Sequence, residues 1–251
     1  MPIGLSAAEL LEAWERGYAA TPAARGLELL RAAHPDTPPR QLGAASLGWR
    51  DRELLALREG TFGSRMTGLA DCPACAEPLE LPLTVADLVD QAAPERARGP
   101  GQPAEVTVTA GGHEVTARVP TTLDLVAVAD LEDRARAGRV LLERCVVASS
   151  RDGLEVAADE LPEAVVDAVA ERLAEADPQA DARLATTCVA CGHGFSVVFD
   201  VAAFLWAEVD ACAKRLALDV HVLAAAYGWA EADILALSPW RRELYLQAVR
   251  A

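Results

Sequence analysis

Cys72-Pro73-Ala74-Cys75 and Cys188-Val189-Ala190-Cys191-Gly192-His193 are the two stretches on which the reading of this 251-residue chain turns. In each, two residues separate the sulfurs, the spacing that lets both thiolates reach one ion. Four thiolates fill the tetrahedral shell of a structural zinc. One such hook is a weak signal, whereas two matched hooks in one chain are a strong one. The 112 residues between them, 76 to 187, far exceed the loop of an ordinary zinc ribbon. If both hooks hold one ion, the whole intervening segment is an insertion hung from a metal clip.

The hooks match beyond their cysteines. Placing Cys72 on Cys188 sets Cys75 on Cys191, Val85 on Val201, Ala86 on Ala202 and Leu88 on Phe204. Each hook is followed by an alternating apolar segment, Leu79-Leu81-Leu83 in the first copy and Phe195-Val197-Phe199 in the second, and then by a helical start. Both copies read hook, strand, helix. The repeat predicts two knuckles facing each other about an approximate two-fold axis, each giving two sulfurs and one strand to one zinc per chain. Gly192 suits the positive φ that turns backbone N–H groups toward the sulfurs, and the first hook has Ala76 at that place. His193 is an alternative ligand, with a polar knuckle residue beside the site as its plainer role.

Outward from the hooks the chain is mostly helical. Ser6 with Glu9 three residues on is a capping box for a helix through Leu10, Leu11, Trp14 and Tyr18. Pro22 opens a second helix that breaks at His34-Pro35-Asp36-Thr37-Pro38-Pro39, and a third runs from Ser46 to about Phe62. Residues 91–101 form a Pro/Gly/Arg joint, after which Val106 to Val119 reads as a β-hairpin about Gly111-Gly112. Helices from Thr122, over about 136–147 and from Pro162 follow, with Cys145 a core residue and His113-Glu114 a surface pair. Beyond the second hook, Asp200 caps the longest helix, which Gly228 ends, and Ser238-Pro239 starts a terminal one. The expectation is an α+β fold, mostly helical. It has a split zinc-ribbon-like double knuckle with short strands, an inserted middle α/β region and a long C-terminal helix, divided as 1–90, 91–180 and 181–251.

Composition narrows the function classes. Apolar residues make up 52% and aromatics only 5%, a balance that suits helices packed through small side chains. The formal charge of −15 opposes binding to nucleic acid or to an anionic membrane. No run is long enough to span a bilayer and no basic-then-apolar leader opens the sequence, so a cytoplasmic location is expected. Four of six cysteines sit in hooks, which favours metal over disulfides. Both hooks precede strands, whereas a thioredoxin-like dithiol starts a helix. His113-Glu114 lacks a histidine four residues on, and no phosphate loop, nucleophile elbow or Ser/His/Asp set occurs. Glu208 and Asp210 beside Trp206 read as a polar helix stripe. An enzyme with a small-molecule substrate is not expected.

From about Leu184 onward the sequence resembles the T4-type phage baseplate proteins often described as baseplate hub assembly chaperones, whose relatives occur in bacterial contractile injection gene clusters. The resemblance is carried by Cys188-x-x-Cys191-Gly192-His193, Phe199-Asp200, Phe204-Leu205-Trp206 and His221. It continues in Tyr227-Gly228-Trp229-x-Glu231-x-Asp233-Ile234-Leu235-x-Leu237 and Arg241-Arg242-x-x-Tyr245. More loosely it takes in Gly48-x-Arg50-Asp51, Phe62-Gly63 and the first hook, while residues 91–160 match only in outline. It implies a non-enzymatic baseplate component or assembly factor whose partners are other baseplate or hub proteins, in the cytoplasm or within a tail-like particle. Trp229, Trp240, Arg241, Arg242 and Tyr245 are the candidate partner-binding residues. A zinc-ribbon adaptor for another protein complex is the alternative, followed by a thiol redox enzyme.

Overall fold

The computed structural model describes residues 4–89 and 100–250. Most of the joint expected at 91–101 therefore lies outside the described residues.

Ser6 starts α1 (Ala7–Tyr18) by the reciprocal bonds of a capping box: its hydroxyl accepts from the Glu9 N–H, and the Glu9 carboxylate accepts from the Ser6 N–H. α2 (Pro22–Ala33) opens on proline, where the missing N–H is no loss. Within the break that follows, Pro39 begins a five-residue helix, α3 (Pro39–Gly43), and Ser46 caps α4 (Leu47–Phe62). Next come the antiparallel pair β1 (Arg65–Asp71) and β2 (Pro78–Thr84), then the short α5 (Val85–Leu88).

The middle region holds β3 (Glu105–Ala110), β4 (His113–Arg118), α6 (Thr122–Val128), α7 (Arg134–Cys145), β5 (Val146–Arg151), β6 (Leu154–Glu155) and α8 (Glu163–Ala176). Its strands form one antiparallel sheet in the order β3-β4-β5-β6. The expected hairpin is thus half of a larger sheet. His113 is buried, with a ring nitrogen 3.1 Å from the Gly111 carbonyl, and so departs from the surface position expected of it. A second pair, β7 (Arg183–Thr187) and β8 (Gly194–Val198), leads into the 27-residue α9 (Val201–Tyr227). Asp200 caps α9, and Gly228 ends it at φ +68°. α10 (Glu231–Leu235) and α11 (Pro239–Arg250) fold back on it.

Burial assigns these elements to separate cores. Leu10, Leu29, Leu54 and Leu57 of the N-terminal helices pack with Leu205, Val209 and Leu216 of α9, and Met66, Leu83, Val85 and Leu88 join them. The two ends of the chain therefore share one core. The middle region has its own, in which Val115 and Ala117 on β4 face Leu142, Cys145, Val165 and Val169. A small third core, Leu223, Ile234 and Leu246, holds the C-terminal helices against the end of α9.

Polar contacts join the middle region to the rest. The Asp177 carboxylate accepts the Gly48 N–H at 2.8 Å at the first turn of α4, where it also meets the positive end of the helix dipole. A Cβ on Gly48 would lie 2.0 Å from that carboxylate, so the close approach requires glycine there. The Gln179 side chain donates to the Leu88 carbonyl at 3.0 Å. The two carboxylates of the α9 stripe are likewise structural. Glu208 takes a two-point ion pair from the buried Arg58 at 2.8 and 2.9 Å, and Asp210 accepts from the Trp14 indole and Lys214.

Inside the middle region Asp124, buried at the start of α6, ties three elements together. It accepts from Arg118 on β4, Arg144 on α7 and the Thr121 hydroxyl. Burial works against its charge, but the hydrogen bonds from Arg118 and Thr121 outweigh that and hold its carboxyl down at about 2. The folded pKa lies below the unfolded one, so the unfolded chain binds more protons in acid and the stabilisation is complete only above the unfolded value. Urea titrations should show on the order of 1–2 kcal/mol lost as pH falls from about 5 through 2, and Asp124→Asn should remove that part of the slope.

Candidate metal centre

Each hook is the turn of a hairpin, β1-β2 or β7-β8, which corrects the expectation of one strand per knuckle. The strand missed in the first hairpin, β1, carries Gly68 and turns Leu69 to solvent at 79% exposure, so it lacks the apolar alternation that marks a strand. The one missed in the second, β7, has five residues and two threonines. Pairing with β2 and β8 makes strands of both.

The two turns have the same hydrogen bonds at an offset of 188 − 72 = 116 residues. Cys72 N–H donates to the Glu77 carbonyl and Ala76 N–H to the Cys72 carbonyl; Cys188 N–H donates to the His193 carbonyl and Gly192 N–H to the Cys188 carbonyl, all at 2.8–2.9 Å. Gly192 takes φ +74°, and Ala76 takes φ +58° in spite of its Cβ. The first hook thus has the geometry of the second, at a local cost of about 1–2 kcal/mol for a non-glycine residue in the left-handed region.

The four sulfurs lie within 4.8 Å of one another. The contacts at 3.7 Å run across the hooks, Cys72 to Cys191 and Cys75 to Cys188. Exchanging 72 with 188 and 75 with 191 maps one contact onto the other, which is the two-fold relation the repeat predicts. A tetrahedron with zinc–sulfur bonds of about 2.3 Å has edges of about 3.8 Å, so the sulfur spacing fits such an ion. Cys72 and Cys188 are buried against Leu79, with Leu81 and Phe195 beside them, while Cys75 and Cys191 face outward. His193 is outside the cluster and stacks on Phe195. Cys145 and Cys212 are also outside it, the former at 1% exposure in the middle core.

The thiols resist joint ionisation. Desolvation opposes a charge on Cys72, yet the Ala74 and Cys75 N–H groups and the neighbouring thiols bring it down to about 7. For Cys75 the Glu77 N–H favours the thiolate, but the Cys191 thiol, desolvation and the remaining thiols push it up to about 12. One thiolate is accommodated, and the next must share its donors. A bound dication would reverse this, because its charge offsets that of adjacent thiolates.

Of the residues expected at a partner surface, Trp240 is 71% exposed and Arg241 is exposed. Trp229 and Tyr245 are partly buried and pack edge to face at 4.8 Å, with Tyr227 stacked on Trp229. Arg242 is buried, its Nε 3.3 Å from Asp219 on α9. On α11 Arg242 and Leu246 share the inward face, which makes Arg242 a brace of the C-terminal core. Leu244, four residues after Trp240 and 44% exposed, is the outward neighbour that the sequence reading left out.

Compared with family models, curated proteins and solved structures, the chain matches none.

Because each sulfur contact crosses between hooks, Cys188→Ser should loosen both hairpins. Hydrogen exchange should rise in β1-β2 as well as in β7-β8, and a rise confined to residues 183–198 would mean independent hooks. Relieving the left-handed alanine by Ala76→Gly should raise stability by up to about 1 kcal/mol in thermal or urea melts.

Proposed function

We propose that the four cysteines hold one structural zinc, which fastens the two hairpins, and that the protein is a non-enzymatic part of a contractile injection baseplate or of its assembly. The observation carrying the metal half is the convergence of Cys72, Cys75, Cys188 and Cys191. All four positions of a tetrahedral ion are filled by protein sulfur, which leaves none for a substrate or water and makes the ion's role structural. Thiolates suit zinc among the available divalent metals. Each hairpin leads directly into the shared core, through α5 in one case and α9 in the other, so the ion fixes how these segments meet.

The baseplate half rests on the sequence resemblance that spans the second hook, α9 and the C-terminal tail. A protein of this kind works through its surfaces, and Trp240 with Arg241 and Leu244 offers an outward aromatic, cationic and apolar group on one terminal helix. Cytoplasmic residence, or incorporation into a tail-like particle, belongs to the same reading. Among the described residues no helix is long and apolar enough to cross a membrane.

Elemental analysis of the purified chain should give about one zinc per molecule, lost together with hairpin protection when a chelator is added. Isolation from cells carrying the neighbouring genes should bring down sheath, tube, hub or wedge proteins, and Trp240→Ala should weaken that recovery without lowering the melting temperature. Zinc without such partners would favour the adaptor reading. A metal-free protein with a reversible Cys188–Cys191 disulfide would favour a redox enzyme.

A further inference from the structure

The four sulfurs of the cluster fall into two kinds. Cys75 and Cys191 are exposed, together with every residue of the tips around them, 73–77 and 189–194. Cys72 and Cys188 are only 2% and 1% exposed and pack against Leu79, with Leu81 and Phe195 beside them. The tips are built largely of small residues, Pro73, Ala74 and Ala76 in one hook and Val189, Ala190 and Gly192 in the other. Such tips do little to screen the outer pair from a small solute.

Each contact across the hooks joins one sulfur of each kind. Exposed Cys75 meets buried Cys188, and exposed Cys191 meets buried Cys72, both at 3.7 Å. An outer sulfur that is oxidised therefore has a thiol of the opposite hook in contact with it. A neighbour of that kind lets a sulfenic acid condense to a disulfide before it is oxidised further. A disulfide is about 2.05 Å long, so each contact has about 1.7 Å to close. Cys145 and Cys212 lie outside the cluster.

We propose that Cys75 and Cys191 are sites of oxidation by hydroperoxides, and that the products are two cross-hook disulfides, Cys75–Cys188 and Cys72–Cys191, which keep the hairpins joined without the ion. This rests on the zinc-clip reading and concerns the regulation of that site. With hydrogen peroxide, the Cys75 thiolate attacks one oxygen: an S–O bond forms, the O–O bond breaks, and the displaced hydroxide takes a proton and leaves as water. The Cys188 thiolate then attacks the Cys75 sulfur: an S–S bond forms, the S–O bond breaks, and a second hydroxide leaves as water with a second proton. Two thiolates have lost two electrons, and one peroxide has become two waters. Cys191 and Cys72 repeat the sequence with a second peroxide. All four anionic ligands are then gone, so the ion is released. The new bonds join residues 113 and 119 apart, and cross-links over long loops constrain the unfolded chain most. A bond within one hook would leave the hairpins unjoined.

The test uses the full-length protein, purified under reducing conditions and first assayed for zinc. Hydrogen peroxide should then release the zinc and consume four of the six thiols, with Cys145 and Cys212 still reduced. Fragmentation of the linked peptides in a mass spectrometer should show Cys75–Cys188 and Cys72–Cys191. Dimedone, which traps sulfenic acids, should label Cys75 and Cys191 in preference to the buried pair. Hydrogen exchange in β1-β2 and β7-β8 should stay as slow in the oxidised, zinc-free protein as in the zinc form, and should rise once a thiol reductant and a chelator are added together. Cys75→Ser should still form Cys72–Cys191 and leave Cys188 a thiol. Absence of zinc from the reduced protein would overturn the clip reading and this inference with it. Zinc-loaded protein that keeps its zinc under excess peroxide would overturn the oxidation inference alone. So would bonds within a hook, sulfinic acids in place of disulfides, labelling chiefly at the buried pair, or hairpins that lose protection on oxidation.

Discussion

The geometry of four sulfurs at tetrahedral spacing constrains the rest of the fold. The contacts across the hooks, at 3.7 Å, join residues 113 and 119 apart in the chain. To bring them together, β1 and β7 must each emerge from the core at the right place and the two hairpins must face each other. The helices on either side then have little freedom. α5 and α9 follow their hairpins directly, and Val85 and Val201 enter the same core at equivalent positions of the repeat. A metal-sized gap among sulfurs thus sets the register between the N-terminal helices and the long C-terminal one.

The middle region relates differently to this frame. It has a sheet and an apolar core of its own. It meets the frame where Leu123 of α6 packs at Gly43, and through polar contacts: Asp177 on the start of α4, Gln179 on the end of α5, and a bridge between Ser46 and Thr121. Such contacts are directional, and they fix orientation more than they stabilise.

Local signals in the sequence were legible where the local chemistry is self-sufficient. Ser6, Ser46 and Asp200 cap helices because their side chains reach the free N–H groups of the next turn, whatever the tertiary setting. Gly228 is as local, ending α9 through its left-handed backbone, and the paired hooks gave both the site and its symmetry. The missed elements depend on partners instead. β1 exposes Leu69 and contains Gly68, and β5 runs on from a helix through Val146 and Val147 without a turn residue between them. Arg242 resembled its exposed neighbour Arg241 in sequence, and only the position of Asp219 on α9 separates the two.

Hanging an independently cored region between two halves of a metal site also affects how the chain reaches its structure. Closing a loop of some 113 flexible residues costs about 2 kcal/mol more entropy than closing the dozen residues of a compact ribbon. A middle region that folds first removes most of that excess, because its termini are then held at a fixed separation. The order in which the parts form is therefore biased toward the middle region before the meeting of the hairpins. Closure of the four-cysteine cluster is favoured, by that same margin, on a chain whose interior has already formed.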